Sequence, residues 1–270
     1  MNNEKMLQVR NFSRNFTHIS KDELLPKAFW TLESTGDTHL VVIQDEKPIG
    51  IVSYKDFLHI LADRVRRKQI HRLYVSSIMT TNLIGISETE SIHTAAKMMI
   101  EKGISSLLVK RDDKIIGILT KKDILRKIDL FEFNNDEVES IMIKNPITAP
   151  RGLSITGAER LLKEKKISTL PIVEEGELVG YIDIHILARF MINLFLDPQH
   201  RHPETILHSA TLGDIMKNPF YVFPNTTILT FSRKVLKRKY KGAPVVLSDA
   251  NKRVVGIITE TDIIKRIASM

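Results

Sequence analysis

Gly117-Ile118-Leu119-Thr120-Lys121-Lys122-Asp123 reads as the end of a buried strand running into a helix, because the apolar steps Ile124, Leu125 and Ile128 follow at helical spacing. The same text stands at Gly50-Ile51-Val52-Ser53-Tyr54-Lys55-Asp56 and at Gly256-Ile257-Ile258-Thr259-Glu260-Thr261-Asp262. A fourth copy, Gly180-Tyr181-Ile182-Asp183-Ile184-His185-Ile186, keeps the glycine and the strand but loses both polar positions. Self-similarity of this kind decides the architecture before any single motif does. The chain is a set of four related units.

Each unit follows one grammar. A lead-in comes first, Ser77-Ile78-Met79-Thr80, Ser140-Ile141-Met142 or Asp214-Ile215-Met216, and reads as extended. A short strand then ends at Ser20, Ser87, Pro150 or Pro224. Next is an amphipathic helix, seen in Ile92, Ala95, Ala96 and Met99 and in Ile155, Ala158, Leu161 and Leu162, with Ser87 and Glu90 at capping-box spacing. The helix stops at Gly36, Gly103 or Lys166, and a hairpin carries the chain to the signature. Asp112-Asp113 and Glu174-Glu175-Gly176 suit tight turns between its strands. A second helix closes the unit, giving β-α-β-β-α four times. The polar stretch Asp129 to Glu139 reads as the boundary between two halves, and two prolines break helix in Asp197 to Pro203.

Composition bounds the function. Hydrophobic residues at 43% and charged residues at 27% describe a globular chain. The balance of 40 basic against 32 acidic residues gives +8, which favours anionic partners without choosing among them. Cysteine is absent, so thiolate and disulfide chemistry are excluded. Met1 to Arg10 lacks the apolar core of a signal peptide, and Ile184 to Leu196 is too short to span a bilayer, so a cytoplasmic location is expected. No Walker loop, Gly-x-Gly-x-x-Gly, Gly-x-Ser-x-Gly or His-Glu-x-x-His is present, and an enzyme is not expected. His200, His202 and His208 lie in a proline-bounded loop without a partner carboxylate at metal-ligand spacing. Trp30 reads as core.

Four such units, three opened by Ile-Met and three closed by Gly-h-h-(Ser/Thr)-x-x-Asp with the remaining closing copy degenerate, resemble the CBS (cystathionine β-synthase) domain family over nearly the whole chain. The resemblance implies an α+β fold of tandem β-α-β-β-α units paired into two pseudo-twofold modules. The modules are expected at 1–130, with units of about 6–62 and 75–130, and at 136–270, with units of about 138–196 and 210–270. It also implies clefts that take adenosine compounds: AMP, ADP or ATP, with S-adenosylmethionine and cyclic di-AMP as further options. No cofactor is required.

The chemistry suits such ligands. An Asp at a helix start offers two acceptor oxygens to the paired ribose hydroxyls, and the helix N-terminus offers free N–H groups to phosphate. Carried over, the ribose and phosphate contacts are Ser53 and Asp56, Thr120 and Asp123, and Thr259 and Asp262. In the third unit Asp183 and Ile186 replace them. The adenine pocket is expected at Ile19, Ile86, Ala149 and Phe223 with Leu40, Leu107, Leu170 and Ala243. Phosphate candidates are His39, Lys55, Lys121, Lys122 and Arg151. The same Ser/Thr and Asp positions would serve as plain helix caps, so capping is the competing explanation.

Family members regulate an enzyme, channel or transporter, which implies here a separate effector protein. A homodimer would use the same packing faces. Two other functions stay open. Arg64-Val65-Arg66-Arg67-Lys68 and Lys237-Arg238-Lys239-Tyr240-Lys241 would suit a nucleic-acid backbone. An oligomerisation module with vestigial clefts is the other.

Overall fold

In a computed structural model of the chain, residues 6–63, 69–197 and 199–270 are described, and the basic run Arg64 to Lys68 lies outside them. The four units fold as the repeat requires. The first comprises β1 (His18–Ser20), α1 (Leu25–Thr35), β2 (His39–Gln44), β3 (Lys47–Ser53) and α2 (Tyr54–Ala62). The second comprises β4 (Gly85–Ser87), α3 (Ile92–Glu101), β5 (Ser106–Arg111), β6 (Lys114–Thr120) and α4 (Lys121–Leu125). A two-residue strand, β7 (Ile143–Lys144), opens the third unit, followed by β8 (Ala149–Pro150), α5 (Ile155–Glu164), β9 (Thr169–Glu174), β10 (Glu177–Asp183) and α6 (Ile184–Leu196). Two short helices, α7 (Pro203–Ser209) and α8 (Leu212–Ile215), lead to the fourth unit: α9 (Ile228–Arg238), β11 (Gly242–Val246), β12 (Val254–Thr259) and α10 (Glu260–Ala268).

Each of the first three units carries a three-stranded sheet in which a parallel pair is followed by the antiparallel hairpin. Both central turn residues of these hairpins have positive φ, Asp45-Glu46, Asp112-Asp113 and Glu175-Gly176, which matches the strand twist. The fourth unit departs. Pro219 and Pro224 flank its first strand, which shrinks to a single bridge from Val222 to Val245, and β7 of the third unit pairs with β12 instead.

The signature glycines are explained by what lies on them. A side chain at Gly50 would meet Met79 Sδ at 2.8 Å, one at Gly180 Met216 Sδ at 2.3 Å, and one at Gly256 Met142 Sδ at 2.5 Å. At Gly117 the neighbour is the Arg14 carbonyl, at 2.8 Å. The lead-in of one unit therefore docks on the bare strand of its partner: first with second, third with fourth. Val41, Leu108 and Ile118 form a small core between the first two sheets. The two large cores cut across that pairing. One joins the first and third units and the other the second and fourth, with α2 packed on α6 and α3 on α10.

Several local expectations change. The lead-ins hold a helical turn rather than extended chain, and in the fourth unit a Thr211–Asp214 capping box winds α8. The cap of α3 is Ser91, which accepts from the Thr94 amide, while the Ser87 hydroxyl bonds Thr89. Trp30 is 54% exposed, touching Phe29 edge-on, because the buried face of α1 is made by Leu25, Ala28, Phe29 and Leu32. The polar stretch after Asp129 is pinned to the core by Phe131 and Phe133.

Candidate functional site

The strand-to-helix joints build the site. In three units the hydroxyl residue that ends the strand is the helix N-cap, and the Asp three residues on returns a carboxylate to it. One oxygen of Asp56 accepts from the Ser53 amide at 2.7 Å and hydroxyl at 2.8 Å. The same oxygen of Asp123 accepts from Thr120 at 2.9 and 2.6 Å, and that of Asp262 from Thr259 at 2.9 and 2.7 Å. Capping thus consumes Oδ2 in every copy. Whether the position can also hold a ligand depends on Oδ1.

The fate of Oδ1 is set by the residue that the partner's lead-in places opposite it. That residue pairs, backbone to backbone, with the residue after the signature glycine: Thr80 with Ile51, Arg14 with Ile118, Ile143 with Ile257, Lys217 with Tyr181. Among the described residues, Asp56 Oδ1 accepts from the Thr80 hydroxyl alone, at 3.5 Å. Asp123 Oδ1 is held by Arg14 Nε at 3.2 Å and by Arg126, and Arg14 also pairs with Asp37 at 2.8 Å. Both oxygens of Asp123, expected to face ribose, are therefore engaged within the protein. Asp262 Oδ1 has Lys265 at 3.8 Å. In the third unit Asp183 caps α6 through the His185 and Ile186 amides, both at 2.9 Å, and Tyr181 stacks on Tyr240 at 5.0 Å to fill the space beside it. Burial raises the carboxyl pKa of Asp56, Asp183 and Asp262, and the cap hydrogen bonds counteract it.

Around Asp56 lies a cleft of about 180 Å³, walled by Ile51, Thr80, Asn82, Ile84, Ile104 and Leu108. The expected adenine residues are elsewhere. Ile19, Leu40, Ala149 and Leu170 belong to one hydrophobic core, and Ile86, Leu107 and Ala243 to the other. Phe223 is half-buried against Tyr221, with ring centroids 5.9 Å apart. Strand alternation is the cause: Leu107 faces its own helix, and Leu108, on the other face of β5, reaches the cleft.

The inner end of this cleft, at His39, Ser53, Lys55 and Ser105, is continuous with a cavity of about 50 Å³ where all four units meet. Lys121 enters it from the second unit, Ser168 and His185 from the third, and Lys241 and Glu260 from the fourth. Lys121 Nζ donates to the Thr261 hydroxyl at 3.0 Å. Burial, with Lys241 nearby, lowers the Lys121 ammonium to about 8 and lowers Lys55 as well. His39 is pushed down to about 3, mainly by burial and then by the surrounding cations. Its ring nitrogens lie 2.8 Å from the Thr38 hydroxyl and 2.9 Å from the Ser105 hydroxyl, so it is a neutral spacer rather than the cation expected. Lys122 lies on the opposite side, in a cavity with Asp183 and Tyr240. Arg151 is exposed against Gly213, away from the centre.

The run from Lys237 to Lys241 is partly structural. Lys241 turns into the central cavity, Tyr240 packs on Tyr181, Lys239 takes the left-handed cap of α9, and Arg238 covers the Phe220 ring at 4.9 Å. Among the described residues no group of His, Asp or Glu is arranged to hold a metal, and no helix is long and apolar enough to cross a membrane.

The chain is 31% identical over 173 residues to the carnitine transport ATP-binding protein OpuCA of Listeria monocytogenes, an alignment that spans 58% of this chain and 40% of that protein. It is 25% identical over 265 residues to the uncharacterized protein MJ1225 of Methanocaldococcus jannaschii, covering 90% of this chain and 91% of the other. The crystal structure of MJ1225 superposes with a TM-score of 0.83 at 22% identity over 97% of this chain and 100% of that one. The family model of the CBS domain matches residues 9–63, 75–130, 138–193 and 212–269, and the chain belongs to the CBS domain family.

Proposed function

We propose that the protein is a regulatory sensor of adenine nucleotides, whose principal site is the cleft between the first two units. The observation that carries this is the Asp56 carboxylate. One oxygen is committed to the cap, and the other faces a cleft that runs into a cavity holding Lys55, Lys121 and Lys241. A ribose diol on Asp56, a base between Ile84 and Ile104, and phosphate toward the lysines would use every group present. Charge-assisted hydrogen bonds to the diol and to phosphate would supply most of the specificity. Ser53, Asp56, Lys55 and Lys121 are the site residues in this reading, and Thr259 with Asp262 are a second, weaker candidate. The modules divide at about residues 130–136, and a ligand wedged between the first two units shifts α2 against α6 and so reaches the second module. A separate effector protein would read that shift.

The test is a thermal-shift panel with AMP, ADP, ATP, S-adenosylmethionine, cyclic di-AMP and GMP. A ligand that binds only the folded state adds about 2.7 kcal/mol of stability at a hundred times its Kd. The expected outcome is a higher Tm with an adenosine compound and none with GMP. Equal shifts with both, or none with any, would reject the assignment.

A further inference from the structure

We infer that the outer edge of the fourth unit is a docking surface for an acidic protein segment, received in a groove between α9 and the chain that precedes it. The groove, of about 650 Å³, has Pro219, Phe220 and Tyr221 as its floor and the exposed Lys234, Lys237 and Arg238 of α9 as its rim. None of these residues lines the Asp56 cleft or the central cavity, so the inference stands apart from the nucleotide reading.

The repeat supplies an internal control. Counted from the N-caps Leu24, Ser91, Ser154 and Thr227, the place of Lys237 holds Ser34, Glu101 and Glu164 in the other units. The place of Lys234 holds Thr31, Met98 and Leu161. In the second unit Glu101 pairs with Lys97, one turn back, at 4.0 Å. At those two places α9 carries Arg233 and Lys237, and it has no acidic residue along its length. Like charges three and four residues apart repel, and among the described residues Lys234, Lys237 and Arg238 form no ion pair to offset this. The helix dipole favours Lys237 and Arg238 in the last turn, yet gives no reason for Lys234 a turn earlier. Carboxylates from a partner would serve all three.

Charge and spacing select the occupant. Lys234 stands one turn from Lys237 and Arg238, about 5–6 Å between Cβ atoms. Alternate residues of an extended segment lie about 6.8 Å apart, so a Glu-x-Glu strand sets a carboxylate against each turn of the rim. Arg238, laid over the Phe220 ring at 4.9 Å, is placed to take one of them as a bidentate partner. A neighbouring aliphatic side chain then covers Pro219 and Tyr221. Single-stranded nucleic acid fits less well. Phe220 is 5% exposed under Arg238 and offers no face to a base, and the Asp249 carboxylate, 2.8 Å from the Tyr221 hydroxyl, repels a continuing phosphate backbone.

The experiment is fluorescence anisotropy of the full chain with a labelled Glu-Leu-Glu-Glu-Leu-Glu peptide, and with a labelled poly(dT) strand. The peptide is expected to bind saturably and more weakly as salt rises. Lys237→Glu, which restores the residue type of the second and third units, should weaken it at least tenfold, and Lys234→Gln at least threefold. Lys97→Glu, on the exposed face of α3, should change it less than twofold, and the Tm shift with AMP should be the same in Lys237→Glu as in the wild type. No peptide binding, equal loss in Lys97→Glu, or tighter binding of poly(dT) through the same lysines would overturn the inference. If Lys237→Glu does not fold, Lys234→Gln decides alone: an unchanged peptide affinity refutes the groove.

Discussion

Asp56 and Asp123 occupy the same place in consecutive units, cap their helices with the same oxygen, and face lead-ins that dock in the same register. One lead-in brings Thr80 and the other Arg14. A threonine hydroxyl at 3.5 Å leaves Asp56 an acceptor for a ligand, whereas the guanidinium of Arg14, tied also to Asp37, turns the equivalent carboxylate into an internal ion pair. Two joints with one signature thus differ in the side chain contributed from the opposite unit, and Arg126 of its own helix adds to the pairing at Asp123. A motif identifies a joint, and its neighbour decides whether the joint binds or braces.

The largest expected effect tests that division directly. Asp123→Ala should cost about 2 kcal/mol of folding stability, since it removes a cap and takes from the half-buried Arg14 one of its two carboxylate partners, leaving Asp37. Asp56→Ala should cost about 1 kcal/mol, the value of a cap alone. Nucleotide affinity should respond in the opposite sense, falling by about 1.5–3 kcal/mol for Asp56→Ala, the scale of a hydrogen bond to a charged group, and staying within threefold for Asp123→Ala. Urea unfolding and titration on the same two variants check both halves. Similar profiles for the two would dissolve the comparison.

Arg14→Ala should convert the braced cleft into a binding one. Asp123 Oδ1 then keeps only Arg126, whose side chain is 54% exposed and free to swing away. Titration should show one additional equivalent of AMP, weaker than the first; an unchanged stoichiometry would mean that something other than Arg14 closes this cleft.

The smallest effect is a pH dependence at the shared centre. Lys121 titrates at about 8 in the folded protein because it is desolvated beside Lys241, and a bound phosphate would raise it again. Anion affinity is then flat below pH 8 and weakens above it, by about tenfold between pH 7 and pH 9. Lys121→Met should remove that slope. A wild-type affinity constant over this range would take Lys121 out of the phosphate contacts.

The repeat, the order of elements, the hairpin turns and the caps at Ser53, Thr120 and Thr259 could be read directly because each is encoded within a few residues: periodicity, a turn pair, or an i, i+3 capping box. Loss of the polar pair in the third unit was equally plain, although Tyr181 as the group that fills the space was not. The residues expected to wall the adenine lie mostly in the two cores, because strand alternation gives two faces without saying which one looks across the module. Arg14 escaped notice because the first unit has no Ile-Met to mark its lead-in, and the ion pair joins residues 109 positions apart. Local sequence determined which residues stand at strand ends and helix starts. Only the tertiary structure decided which Asp keeps an acceptor free and which lysines meet, because both depend on side chains delivered by other units across interfaces that no local pattern specifies.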